Sequence, residues 1–132
     1  MGDIRVLLVD DDAAMVRVLS LGLRTKGYDV DAANDGAEAI ERASACHHDI
    51  AVVDLGLPGV GGLEVIRVLT ARDRTPVIAI TGRESRSARD SAIGAGAQDL
   101  LGKPFSLQAL ADRMQTALGS TRCQVPMGLG VP

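Results

Sequence analysis

Five short apolar segments recur along the chain, and between them the apolar residues switch to a helical spacing. Residues 4–9 are apolar apart from Arg5, and 50–53 and 77–80 are apolar throughout. Runs this short, bounded by Asp, Gly or Pro, predict strands buried on both faces. Residues 28–32 alternate instead, with Asp29 and Asp31 facing the other way, as a less buried edge strand would. The run 99–101 is short and also suits an edge.

The helical segments lie between these runs. In 13–26, Met15, Val18, Leu19 and Leu23 form one stripe, and Gly27 is the stop signal. Residues 37–45 predict a second helix, and 63–71 a third with Leu63, Ile66 and Leu69 on a face. Residues 87–95 predict the weakest helix: it is rich in Ala and Ser, has one large apolar residue and is interrupted by Gly94. The fifth, 107–118, has Ser106 as N-cap and Leu107, Leu110, Met114 and Leu118 as its stripe.

This βαβαβαβαβα alternation predicts an α/β fold, a parallel five-stranded sheet with helices on both faces. Residues 3–118 form the domain in this reading, and the Gly/Pro-containing stretch 119–132 reads as a loose tail or the start of a linker. Between those two readings of the stretch, a stand-alone domain is narrowly preferred.

Composition narrows the core and the partners. At 132 residues the chain has room for one domain. One Tyr, one Phe and no Trp leave the core to Val, Ile, Leu and Ala, which suits buried parallel strands. A net charge of −3 carries no electrostatic footprint for nucleic acid, so direct nucleic-acid binding by these residues is not expected. No apolar stretch reaches the length of a membrane span, and the N-terminus has no secretory pattern, so a cytoplasmic location is expected. Cys46 and Cys123 lack a C-x-x-C and read as reduced thiols. His47 and His48 follow a helix C-terminus, where a polar or cationic end suffices, and are given no catalytic role.

In open α/β sheets, ligands bind beyond the carboxyl ends of the strands, where the strand order reverses. The first strand ends in Asp10-Asp11-Asp12, the third in Asp54, the fourth in Thr81-Gly82, and the fifth runs into Gly102-Lys103-Pro104. With strand order 2-1-3-4-5 these ends are neighbours. Clustered carboxylates need a cation, and oxygen-only ligands select a hard one such as Mg²⁺. A carboxylate beside Mg²⁺ can attack a phosphoryl group and become an acyl phosphate. A Lys and a hydroxyl can hold the remaining phosphoryl oxygens. A dinucleotide site is disfavoured, because aspartates stand where a glycine-rich phosphate loop would follow strand one.

With these motifs in place, the chain resembles the receiver domains of two-component response regulators, the CheY-like family with flavodoxin-like order. The segments Val6–Asp12 and Asp49–Gly59, with Thr81 and Lys103-Pro104-Phe105, carry the resemblance over about residues 3 to 118. It implies Asp54 as phosphoacceptor, and Asp10, Asp11, Asp54 and the Gly56 backbone carbonyl as Mg²⁺ ligands, Asp10 acting partly through water. Thr81 and Lys103 would hold the phosphoryl group, and the Lys103–Pro104 bond would be cis. Asp12, one step past the acidic pair, is read as a helix N-cap. The donor would be a histidine kinase or phosphotransfer protein. The output surface would be helix 87–95, strand five and helix 107–118, with a homodimer possible on phosphorylation. The domain would not be an enzyme with an external substrate. A phospho-independent interaction module and a phosphoaspartyl-type phosphohydrolase are the rival readings. The family's usual aromatic three positions before the lysine is here Leu100, so switching is expected to run through the loop after strand four and helix 87–95.

Overall fold

The computed structural model describes residues 3–128, with side chains through Gly119. The strands are β1 (Arg5–Val9), β2 (Asp29–Ala33), β3 (Ile50–Asp54), β4 (Val77–Thr81) and β5 (Asp99–Gly102). The helices are α1 (Ala13–Thr25), α2 (Gly36–Ala45), α3 (Gly62–Asp73), α4 (Arg86–Ala95) and α5 (Leu107–Gly128). All strand pairs are parallel, in the order β2-β1-β3-β4-β5. The doubly wound α/β architecture expected from the sequence is thus the one found.

Strand side chains alternate between two cores, which is why the strands read as continuous apolar runs. Leu7, Val9, Ala51, Val53, Val77 and Ala79 face the α2, α3 and α4 side, where Ala39, Val65, Ile66 and Ala92 cover them. Val6, Leu8, Ile50, Val52, Ile78 and Ile80 face α1 and α5, where Leu19, Leu23, Leu110 and Met114 close the layer. The charged or polar residue that ends each central strand falls where this apolar packing stops.

The helices differ from expectation in three places. Val18 is 67 % exposed rather than part of the α1 stripe. At 100° per residue it lies about 140° around the helix from Leu23, beyond the arc that one sheet face can cover. Gly94 does not interrupt α4, which runs on to a left-handed cap at Gly96 with φ +119°. There a Cβ would strike the Thr70 side chain. The tail expected from Gly119 is helical through Gly128 instead. A single Gly costs only about 1 kcal/mol relative to Ala inside a helix. Residues 129–132 of that stretch lie outside the described residues.

Local chemistry at the helix starts positions the site. Asp12 caps α1 by accepting from the N–H groups of Ala14 and Met15, as its place after the acidic pair suggested. Gly62, the first residue of α3, sits against the backbone of Asp54 and Leu55, and a Cβ there would lie 2.8 Å from Leu55 Cα. Backbone cannot rotate away as a side chain can. Gly62→Ala is therefore expected to lower unfolding free energy by about 1–3 kcal/mol, read as a lower urea midpoint. An unchanged midpoint would show that α3 has room to slide off β3.

Candidate functional site

Asp10 follows β1, Asp54 ends β3, Thr81 ends β4, and Lys103 follows β5. The register pairs Val9 with Val53, Asp54 with Ile80 and Thr81 with Gly102, so the four residues emerge side by side at one edge of the sheet. Asp10 is fully buried, and Asp54 and Thr81 are nearly so. Asp11 is exposed beside them. Asp10 Oδ1 accepts from the Asp12 N–H at 2.9 Å, and Asp54 Oδ1 accepts from the Gly56 N–H at 3.0 Å. Lys103 Nζ lies between the two carboxylates, 3.2 Å from Asp10 Oδ2 and 3.3 Å from Asp54 Oδ2. The Lys103–Pro104 peptide is cis, and the Lys103 N–H donates to the Thr81 carbonyl at 2.7 Å.

Burial, and secondly the Asp54 charge, push the Asp10 carboxyl above its usual range, against the pull of the Asp12 N–H and Lys103. For Lys103, burial favours the neutral amine, but Asp54 and Asp10 outweigh it and hold the ammonium above its ordinary value. The lysine is a partial neutraliser. Its approach to Asp10 Oδ2 is an ion pair without a well-directed hydrogen bond, and that oxygen is the one buried side-chain polar atom left without such a bond among the described residues. Ligand oxygens of Asp10, Asp11 and Asp54 lie within 4.8 Å of one another. An all-oxygen set with an unfilled buried carboxylate oxygen fits a small hard cation such as Mg²⁺.

Not every candidate group converges. The Thr81 hydroxyl is engaged in its own turn, accepting from the Arg83 N–H at 3.1 Å and donating to the Arg83 carbonyl at 3.3 Å. Gly56 is exposed, and a Cβ there would lie 3.6 Å from Asp54 Oδ1, so a side chain at this position would stand over the carboxylate. Leu100 is fully buried in the α3/α4-side core.

The model of the response regulator receiver domain matches residues 6–115. The chain belongs to the response regulator receiver family. MprA, a response regulator of Mycobacterium ulcerans, is 40% identical over 122 residues, which are 92% of this chain and 53% of that protein. The transcriptional regulatory protein TrcR of Mycobacterium tuberculosis is 40% identical over 116 residues, 87% of this chain and 45% of that protein. The receiver thus spans about half the length of these relatives. Among solved structures, a CheY-like receiver from Methanospirillum hungatei superposes with TM-score 0.87 at 25% identity, covering 93% of this chain and 99% of that one. A response regulator from Burkholderia pseudomallei, solved with a phosphorylated aspartic acid, a calcium ion and citrate, gives 0.81 at 27% identity over 98% of this chain and 76% of that one. No helix among the described residues is long and apolar enough to cross a membrane.

Sequence reading missed two groupings in this receiver. Asp99 on β5 pairs with Arg113 of α5 at 2.8 Å and lies 3.9 Å from Arg89 of α4. His48, read as a polar helix end, is buried with its Nε2 2.9 Å from Asp31 Oδ2. Its place two residues before a fully buried strand is the available signal.

Proposed function

We propose that this receiver accepts a phosphoryl group on Asp54 from a phosphohistidine of a kinase or phosphotransfer protein in the cytoplasm. The receiver unit is 3–118, with 119–132 continuing beyond it. The observation that carries this reading is the buried Asp10–Asp54 pair bridged by Lys103. The Asp54 carboxylate oxygen attacks phosphorus, and the P–N bond breaks. Its electron pair returns to the imidazole of the donor. Asp10, Asp11, Asp54 and the Gly56 carbonyl would hold Mg²⁺, which supplies charge neutralisation for the phosphoryl oxygens. Lys103 lies against the Asp54 oxygen and follows the charge onto the phosphoryl group. The receiver turns over no external substrate in this reading. The phosphorylated aspartic acid of the Burkholderia pseudomallei relative supports the same chemistry here. The test is incubation with acetyl phosphate and Mg²⁺, followed by intact mass. One added phosphoryl mass that needs the metal is expected, and none would overturn the reading.

Output would follow the Thr81 hydroxyl as it leaves its Arg83 turn for a phosphoryl oxygen. Leu100 has no ring to swing, and α4 buries only Ala92 and Ala95. Residues 81–95 therefore carry the change to a surface of α4, β5 and α5, on which a downstream partner or a second copy docks. Beryllofluoride with Mg²⁺ is expected to alter amide exchange across 81–95. Identical exchange with and without the analogue would remove this route.

A further inference from the structure

We propose that Asp31, Cys46 and His48 form a second cation site, selective for a borderline transition ion such as Zn²⁺. Asp31 lies on β2, Cys46 caps the C-terminus of α2, and His48 stands just before β3. One carboxylate oxygen, the thiol sulfur and one imidazole nitrogen lie within 4.8 Å of one another. His48 Nε2 is 2.9 Å from Asp31 Oδ2 and 3.8 Å from Cys46 Sγ. Tetrahedral zinc, with bonds of about 2.0–2.3 Å, needs such ligand atoms about 3.3–3.7 Å apart. The two His48 distances lie within a few tenths of an ångström of that spacing, and the Asp31 and Cys46 ligand atoms lie within 4.8 Å of each other.

The neighbours hold these groups in the required orientation, as supporting contacts around metal ligands do. Arg42 Nη1 binds Asp31 through Oδ1 at 2.7 Å, which leaves Oδ2 facing His48, and Glu38 braces Arg42 at 3.0 Å. Arg5 Nη1 donates to Cys46 Sγ at 3.3 Å, which orients the thiol, while Asp29 braces Arg5 at 3.1 Å. Asp49 accepts from the Arg5 N–H at 2.8 Å. The four carboxylates of Asp29, Asp31, Glu38 and Asp49 outnumber the two guanidinium groups of Arg5 and Arg42, so a divalent ion meets net negative charge. A hollow lined by Ser44, Asp73 and Thr75 opens beside Cys46 and His48 and leaves room for water as a fourth ligand.

The donor set separates this site from the one at Asp54. Sulfur and nitrogen disfavour Mg²⁺, and the all-oxygen set disfavours zinc by comparison. The two sites sit at opposite ends of β3. An ion here would tie β2 and α2 to the start of that strand, and the proposal does not rest on phosphorylation of Asp54. Binding releases the Cys46 thiol proton to solvent. The His48 proton shared with Asp31 passes to Nδ1, and no electron changes hands.

The test uses the full chain carrying Cys123→Ser, titrated with Co²⁺ in the presence of Mg²⁺. A near-ultraviolet thiolate-to-cobalt absorption saturating at one equivalent is expected; it is silent to ions held by oxygen alone. Cys46→Ser should abolish it. His48→Gln and Asp31→Asn should each weaken binding by at least about 10-fold, the loss that even an outer partner's removal can cause. Zn²⁺ should also slow alkylation of Cys46, a readout that needs none of these three variants to fold. A polar cluster that merely joins α2 to β2 would give no thiolate absorption and equal alkylation with and without Zn²⁺. Either result, or an absorption that survives Cys46→Ser, overturns the proposal.

Discussion

Asp54→Asn is expected to abolish phosphoryl uptake from acetyl phosphate while leaving the receiver folded. The nucleophile in the proposed reaction is a carboxylate oxygen, and an amide oxygen of the same shape carries no charge to attack phosphorus. The change also removes one anionic ligand from the cation set. Folding should survive because the Gly56 N–H still finds an oxygen at this position, and because one of two buried like charges around Lys103 disappears. Intact mass after incubation with acetyl phosphate and Mg²⁺ reads the outcome directly. The site contains Asp10 and Asp11 as well, so the control has force. An undiminished phosphoryl mass on Asp54→Asn would move the acceptor to a neighbour and sink the assignment, even if the parent chain is phosphorylated. The metal dependence gives an independent check. The parent should lose uptake when Mg²⁺ is chelated, because two buried carboxylates with one lysine cannot also accommodate an approaching phosphoryl anion.

Much of this arrangement was legible in the sequence because it follows from periodicity along single elements. Apolar runs of four to six residues placed the three central strands, and the residue that broke each run placed a polar group at a strand end. Asp12 was readable as a cap because it stands one step beyond the acidic pair at a helix start. What periodicity does not carry is the meeting of side chains from different elements. Thr81 could be assigned to the right strand end, yet nothing in the chain shows that its hydroxyl turns back to Arg83. Val18 fits a 3.6-residue stripe within tolerance, and only the breadth of the sheet face excludes it. The Gly and Pro content of 119–132 and its lack of periodicity point to a tail or linker, whereas α5 continues through Gly128. The Asp31, Cys46 and His48 trio spans a strand, a cap and a loop, and each member alone has an ordinary explanation.

Lys103→Met and Asp10→Asn are expected to move the stability of the metal-free receiver in opposite directions. Removing Lys103 leaves Asp10 and Asp54 facing each other without a cation. Breaking such a buried pair costs about 3–5 kcal/mol, and the partial exposure of Lys103 reduces this to about 2–3 kcal/mol. Asp10→Asn removes a fully buried charge that burial and Asp54 already disfavour, while its side-chain oxygen can still accept from the Asp12 N–H. A gain of about 1–2 kcal/mol is expected. The pH dependence carries the same sign. Because the folded pKa of Asp10 is raised, its contribution is fully present below the unfolded value and is lost as pH rises through the folded value. The parent should therefore lose this increment as pH rises above the ordinary carboxylate range, and Asp10→Asn should not. Mg²⁺ reverses the order by binding the folded state. Lys103→Met should gain more from saturating Mg²⁺ than the parent, since no ammonium competes for the two carboxylates, and Asp10→Asn should gain least. Urea unfolding in chelator and in Mg²⁺ measures all four quantities. An Asp10→Asn chain less stable than the parent in chelator would show that the buried carboxylate is satisfied without a cation, and the physical case for a metal at this site would fall with it.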